Sequence, residues 1–165
     1  MPTSGAHAAS AAAIDADVDA ALREFSARVR GAPELLAKAA AVLVFPSVIK
    51  AGVGIGGEYG EGALRVRGRT VDYYNTVSAS VGFQLGAQAR SVIIAFMTRE
   101  AFDGFRRIAG WKVGVDGSVA LITVGAGGSI DSSKIASPIV GFIFDGKGLM
   151  YNLTLEGSKI TRIVR

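Results

Sequence analysis

Cysteine is absent from this chain of 165 residues, and histidine occurs only once, at His7. Without cysteine the chain cannot form disulfides, thiolate zinc sites or a cysteine nucleophile. One histidine cannot build a multi-histidine metal cluster, and its place in the N-terminal stretch also argues against a Ser-His-Asp triad. We therefore predict a protein that is not an enzyme, with no catalytic residue, no metal site and no cofactor.

Long apolar runs are also missing, although half of the residues are hydrophobic. The runs Ala39–Phe45 and Ile139–Phe144 fall far below the ~18 residues that a membrane-spanning helix needs. We therefore expect the apolar residues to form one core, since a chain of this length usually makes one domain.

The N-terminal stretch has neither the basic nor the apolar region of a signal peptide. It consists mostly of small and polar residues. We predict that residues 1–13 form a disordered tail and that residues 14–165 form the domain.

The chain carries a net charge of +4 and a sequence pI near 9.6. A basic balance of this kind favours anionic partners through long-range attraction. The charge by itself does not separate nucleic acid from lipid.

The spacing of apolar residues predicts three helices, at 14–30, at 33 to about 41 and at 99–109. The remaining pattern is mostly that of strands, with turn residues such as Asp116-Gly117 and Asp145-Gly146 between neighbours. Strands outnumber helices without regular alternation. This order predicts an α+β fold with a mainly antiparallel sheet.

A hairpin is predicted from Ala63–Val66 and Val71–Thr76, with Arg67 to Thr70 between them. Arg65, Arg67 and Arg69 alternate with other residues, so on a strand their side chains would project from one face. Such a basic stripe could bind anions. The alternative is an exposed hairpin that charge keeps soluble.

A second basic cluster, Arg106, Arg107 and Lys112, lies at the end of the third predicted helix. Cations there could also bind an anionic surface. Favourable interaction with the helix dipole explains them equally well.

The first helix has an apolar stripe formed by Val18, Leu22, Phe25 and Val29. This stripe could face a membrane interface. Packing against the protein's own core is the interpretation that we favour, because the polar face carries acids as well as arginines.

Residues 52–57 match the pattern G-x-G-x-x-G of dinucleotide sites. A dinucleotide site also needs a helix that begins at the last glycine. Here residues 58–62 continue as a glycine-rich stretch that leads into the hairpin. We therefore predict close strand packing at Gly54 and Gly56 instead of cofactor binding.

Five blocks together resemble the SYLF domain, also called the Ysc84-like domain. In chain order they are Val44-Phe-Pro-Ser-Val-Ile-Lys50, Gly54-Ile-Gly-Gly-Glu-Tyr-Gly-Glu-Gly62, Tyr73-Tyr-Asn75, Gly82-Phe-Gln-Leu-Gly-Ala-Gln88 and Leu155-Glu-Gly-Ser-Lys159. The blocks Tyr73-Tyr-Asn75 and Gly141-Phe-Ile-Phe144 are similar to the bacterial branch. The resemblance covers most of the chain.

The resemblance implies binding of phosphoinositides or other anionic lipids, without enzymatic activity and without a nucleic-acid partner. Some eukaryotic relatives act on actin filaments, so an unidentified protein partner or a structural role in the cell envelope is the alternative. Bacterial relatives are often predicted envelope lipoproteins, which implies a membrane-associated protein of the periplasm or outer membrane. The lipid-binding residues that we expect are Lys50, Arg65, Arg67, Arg69, Arg106, Arg107 and Lys112, with the helix stripe as a further candidate.

Overall fold

The computed structural model describes residues 9–51, 57–79, 89–122, 129–145, 148–149 and 155–165. Within these ranges the chain forms three α-helices, one short 3-10 helix and one sheet of nine strands. The helices are α1 (Ala11–Arg28), α2 (Ala32–Lys38) and α3 (Arg99–Arg107), and the 3-10 helix is Ser132–Lys134. The strands are β1 (Ala41–Ala51), β2 (Gly57–Val66), β3 (Arg69–Ala79), β4 (Arg90–Phe96), β5 (Trp111–Lys112), β6 (Ala120–Leu121), β7 (Ile139–Asp145), β8 (Gly148–Leu149) and β9 (Lys159–Ile163).

The strands follow the order β5-β9-β3-β2-β1-β4-β7-β6, and β8 also pairs with β7. Every pairing between the named strands is antiparallel except that of β6 with β7. The predicted α+β class with a mainly antiparallel sheet is therefore confirmed.

The sheet is covered on both faces, and alternating residues of β1 show this directly. Val42 and Val44 pack in the cluster under α1 and α2, whereas Leu43 and Phe45 pack in the cluster under α3. Successive side chains of a strand point to opposite faces. A strand that is buried on both faces therefore reads as a continuous apolar run.

Helix α1 begins at Ala11 because the hydroxyl of Ser10 accepts a hydrogen bond from the Ala13 amide at 3.1 Å. An N-cap of this kind satisfies one of the unpaired amides in the first turn. The helix thus includes residues 11–13, which the sequence pattern predicts to be part of the tail. Residues 1–8 lie outside the described part of the chain.

The stripe of α1 belongs to the core. Val18, Phe25 and Val29 are buried, with exposures of 0%, 1% and 6%, and Leu22 is partly buried against the same cluster. The Phe25 ring lies 4.8 Å from that of Phe142. The membrane-facing interpretation of this stripe is therefore wrong, and the core interpretation that we favoured is confirmed.

The predicted hairpin is confirmed, with a tighter turn than expected. Strands β2 and β3 are joined by Arg67 and Gly68 alone, whose φ angles are 54° and 79°. Two-residue turns with positive φ at both positions match the natural twist of paired strands. Glycine at the second position adopts this conformation without steric cost.

Other predicted bounds shift by a few residues. Helix α2 ends at Lys38 and α3 at Arg107, and the strand predicted from Trp111 to Val115 ends at Lys112. The segment 114–116 after it forms a turn. The glycine strand at 52–56 and the strand predicted at 81–88 lie outside the described residues, so the packing predicted at Gly54 and Gly56 stays a prediction.

Candidate anion-binding surface

Arg65 does not belong to an exposed stripe, so this part of the prediction is wrong. It is only 8% exposed and lies beneath α1. Its Nη1 donates to Asp19 Oδ1 at 2.8 Å, its Nη2 to the Asp15 carbonyl at 3.2 Å, and its Nε to Thr70 Oγ1 at 2.6 Å. These bonds hold α1 against β2 and β3.

Asp15 completes this contact between helix and sheet. Its carboxylate accepts hydrogen bonds from the hydroxyls of Thr70 and Tyr73, each at 2.9 Å. Burial and the bond to Asp15 raise the pKa of Tyr73, so this hydroxyl keeps its proton as the donor. The donors of Arg65 are thus used inside the protein and do not face a ligand.

Arg67 and Arg69 are exposed, as the hairpin prediction requires. They do not share one strand, because Arg67 lies in the turn and Arg69 is the first residue of β3. The alternation of three arginines therefore does not produce three parallel side chains.

Arg106 and Arg107 are exposed at the C-terminal end of α3. An ion pair ties this end to the hairpin, since Arg106 Nη2 lies 2.6 Å from Oδ2 of Asp72 on β3. The Arg106 guanidinium also lies over the Phe102 ring, 5.5 Å from its centroid. Residues 69–72 and 106–107 are therefore neighbours.

Sequence reasoning missed Arg162, an exposed residue of β9. It is the partner of Tyr74 in the antiparallel pairing of β9 with β3. Burial raises the pKa of Tyr74 and so does Asp72, whereas the charges of Arg106 and Arg162 oppose the rise. Both guanidinium groups thus act on the same hydroxyl. Only the long-range pairing of β9 with β3 reveals this neighbour.

We call Arg67, Arg69, Arg106, Arg107 and Arg162 the hairpin-end cluster. Two of the other residues that we expected to bind lipid lie elsewhere. Lys112 is on β5 opposite Lys159, at the edge of the sheet. Lys50 lies near the other end of β1, opposite Glu58, so its backbone is far from the hairpin turn at Arg67 and Gly68.

A second polar site lies in a cleft on the α3 face of the sheet. Arg90 forms an ion pair with the buried Glu58, which also accepts a hydrogen bond from Ser78 at 3.5 Å. The cleft is otherwise lined mainly by apolar side chains, among them Phe45, Val92 and Ile160. Its free interior has room for about one water molecule. A buried Glu–Arg pair in so narrow a space is typical of structural packing.

A third polar group joins β2 to Arg165. Glu61 accepts hydrogen bonds from Tyr59, at 2.5 Å, and from Arg165, whose Nε lies at 3.2 Å. Burial alone would raise the pKa of Glu61, but the bonds from Arg165 and Tyr59 outweigh it and lower this pKa. Glu61 therefore stays ionised and holds its two donors.

Among the described residues there is no group of three or more metal-binding side chains. No helix in this part of the chain is both long enough and apolar enough to cross a membrane.

The chain matches the sequence model of a known protein family. The family is Ysc84, described as "Las17-binding protein actin regulator", and its sequence model matches residues 77–163, more than half of the chain. The match begins near the end of β3, so it includes Arg106, Arg107 and Arg162 but not Arg67 or Arg69. No curated protein matches the chain.

Proposed function

Since this chain belongs to the Ysc84 family, also known as the SYLF domain family, we propose that it binds anionic lipid surfaces without catalysing a reaction. The family comprises binding domains for lipids and proteins. The site that supports lipid binding best is the hairpin-end cluster.

One observation carries the proposal. Five exposed arginines lie on the β2–β3 hairpin, on α3 and on β9. The ion pair of Arg106 with Asp72 holds α3 against the hairpin. A guanidinium group grips a phosphate with two parallel hydrogen bonds. Each such cation near an anionic membrane contributes about 1 kcal/mol. The cluster therefore favours a surface that offers several phosphates at once.

Head groups with more than one phosphate, such as those of phosphoinositides, fit this arrangement best, because several arginines can bind one group. We propose membrane association at the bacterial cell envelope as the setting. Both statements extend the general lipid-binding role that the family supports.

The test compares two folded variants with equal losses of charge. The first carries Arg67→Asn, Arg69→Gln and Arg107→Gln. Asparagine suits the positive φ of the turn, so the hairpin should keep its stability. The control carries Arg23→Gln, Arg28→Gln and Arg30→Gln, three exposed residues at the C-terminal end of α1 and just beyond it.

Flotation with liposomes measures the result at low salt, with neutral, singly anionic and phosphoinositide-containing membranes. We expect the cluster variant to bind anionic liposomes roughly a hundredfold more weakly than the parent. The control should bind nearly as the parent does. Added salt should release the parent as well, because the Debye length shrinks from ~10 Å at 0.1 M to ~3 Å at 1 M.

A parent-like affinity of the folded cluster variant would contradict the assignment of the site. Loss of binding in the control alone would move the contact to α1. If the parent binds no anionic liposome, lipid binding itself is refuted.

A protein partner is the second candidate, and two observations favour it. The family description names Las17 and actin regulation. In addition, Ile49 and Val77 lie on either side of Tyr59 across three paired strands, and they are 49% and 48% exposed. An apolar row of this kind is common at protein interfaces. We would then expect Tyr59→Ser to abolish capture of the partner while liposome binding persists.

A further inference from the structure

Two large apolar side chains are exposed beside the hairpin-end cluster. Val71 is 42% exposed and lies between Arg69 and Asp72 on β3. Ile108 is 39% exposed and follows Arg107 at the end of α3. The ion pair of Asp72 with Arg106 brings these two segments together.

The position of Val71 follows from an irregularity in the hairpin. Arg65 is opposite Thr70 and Leu64 is opposite Asp72, so Val71 has no partner of its own on β2. An extra residue in one strand is a β-bulge, which redirects the side chains around it. The bulge explains how a valine within a paired strand remains exposed.

We propose that Val71 and Ile108 insert between lipid head groups while the surrounding arginines bind phosphates. This inference rests on the proposed function and specifies how the same surface docks. An anionic bilayer fits because it presents negative charge at its surface and apolar chains below. The hairpin-end cluster offers a matching surface, because its arginines can bind the phosphates while the neighbouring apolar side chains contact the lipid chains.

The burial of α1 strengthens the assignment. The apolar stripe that could have entered a membrane packs in the core, with Val18 and Phe25 at 0% and 1% exposure. Any apolar contribution from the described residues must therefore come from other elements. Ile108 directly follows Arg107, and Val71 lies two residues after Arg69, next to the Asp72 that pairs with Arg106.

Insertion should add a component of binding that salt does not remove. Burying the exposed part of one such side chain strengthens binding by about tenfold, from the area that leaves water. The double variant Val71→Ser with Ile108→Ser should therefore bind anionic vesicles up to about a hundredfold more weakly. Its affinity should remain sensitive to salt, because the arginines are intact.

Because the chain has no cysteine, single cysteines can report insertion directly. We would label Val71→Cys and Ile108→Cys with an environment-sensitive fluorophore and add vesicles of phosphatidylcholine, with and without anionic lipid. Controls are Val115→Cys, which is 73% exposed in the turn after β5, and Ala27→Cys, which is exposed on α1. Co-sedimentation of the same samples measures binding independently.

The expected result is a blue shift at positions 71 and 108 with anionic vesicles only, and quenching by lipids that carry a quencher near the head group. The controls should not shift. If the labelled proteins sediment with anionic vesicles but neither position shifts, insertion is refuted and electrostatic lipid binding stands. A shift at Val115 alone would also overturn the inference, since the protein would then dock by another surface. If the unlabelled parent does not sediment, the proposed function fails and the inference fails with it.

Discussion

Replacing Arg65 should destabilise the protein, although the residue lies in a segment that resembles an exposed basic hairpin. Its side chain is only 9% exposed and makes three hydrogen bonds, to Asp19, to the Asp15 carbonyl and to Thr70. Arg65→Gln removes the charge and most of these bonds. It leaves two carboxylates at the contact between α1 and the sheet.

The magnitude follows from how buried the partners are. Removing one member of a fully buried ion pair costs about 3–5 kcal/mol, because the other charge stays unpaired without water. Here the Asp19 and Asp15 side chains are 50% and 37% exposed, so water can solvate part of what is lost. We therefore expect the free energy of unfolding to fall by about 2–3 kcal/mol.

Urea unfolding followed by circular dichroism measures this change, and the melting temperature should fall by about 4–12 °C. Arg67→Gln is the matched control, because the same substitution in the exposed turn should change stability by less than about 0.5 kcal/mol. A double-mutant cycle of Arg65→Gln with Asp19→Asn isolates the ion pair. If Arg65→Gln is as stable as the control, the buried contact does not hold α1, and the reasoning is wrong.

Three further predictions test other parts of the structure. Gly62→Ala should lower the free energy of unfolding by at least ~1–3 kcal/mol, since the added Cβ would lie 1.9 Å from the Val44 carbonyl oxygen. In contrast, Gly104→Ala in α3 meets nothing within 4 Å and should raise it by ~0.5–1 kcal/mol; equal effects in urea unfolding would contradict this. The pKa of Glu61 is lowered from 4.5, so its contribution to stability is present above that pH and is lost as the pH falls below it. Glu61→Gln should therefore flatten the acid decline of the unfolding free energy, and an unchanged slope would exclude this role. Asp72→Asn should strengthen binding to anionic vesicles by about fivefold, because it removes the acid that neutralises part of the cluster, while the amide oxygen of asparagine can still accept the hydrogen bond from Arg106 that joins α3 to the hairpin. Unchanged or weaker binding in sedimentation would show that this charge does not limit docking.

Local signals predicted the helices and the hairpin well. The hydroxyls of Ser10 and Thr98 cap α1 and α3 by accepting hydrogen bonds from the amides three residues later. Such features depend on a few neighbouring residues, so the sequence contains the information directly.

The site was harder to predict because it depends on long-range pairing. Arg162 becomes a neighbour of Arg106 only when β9 pairs with β3. Lys112 was grouped with Arg106 because the two are close in sequence, yet β5 carries it to the edge opposite Lys159. Sequence distance and spatial distance diverge wherever an antiparallel sheet folds back on itself.

The three alternating arginines show why residue type alone does not assign a role. Arg65 and Arg67 are two residues apart, but the first lies on a paired strand and the second in a turn with φ 54°. Alternation predicts a common face only while the strand continues, and the turn ends it at Val66. Beneath α1 a guanidinium is stable because two aspartates and Thr70 accept its hydrogen bonds, whereas in the turn the same group meets water. Of these two arginines a ligand can therefore reach only Arg67, and recognising this required the position of α1, which supplies the acceptors of Arg65.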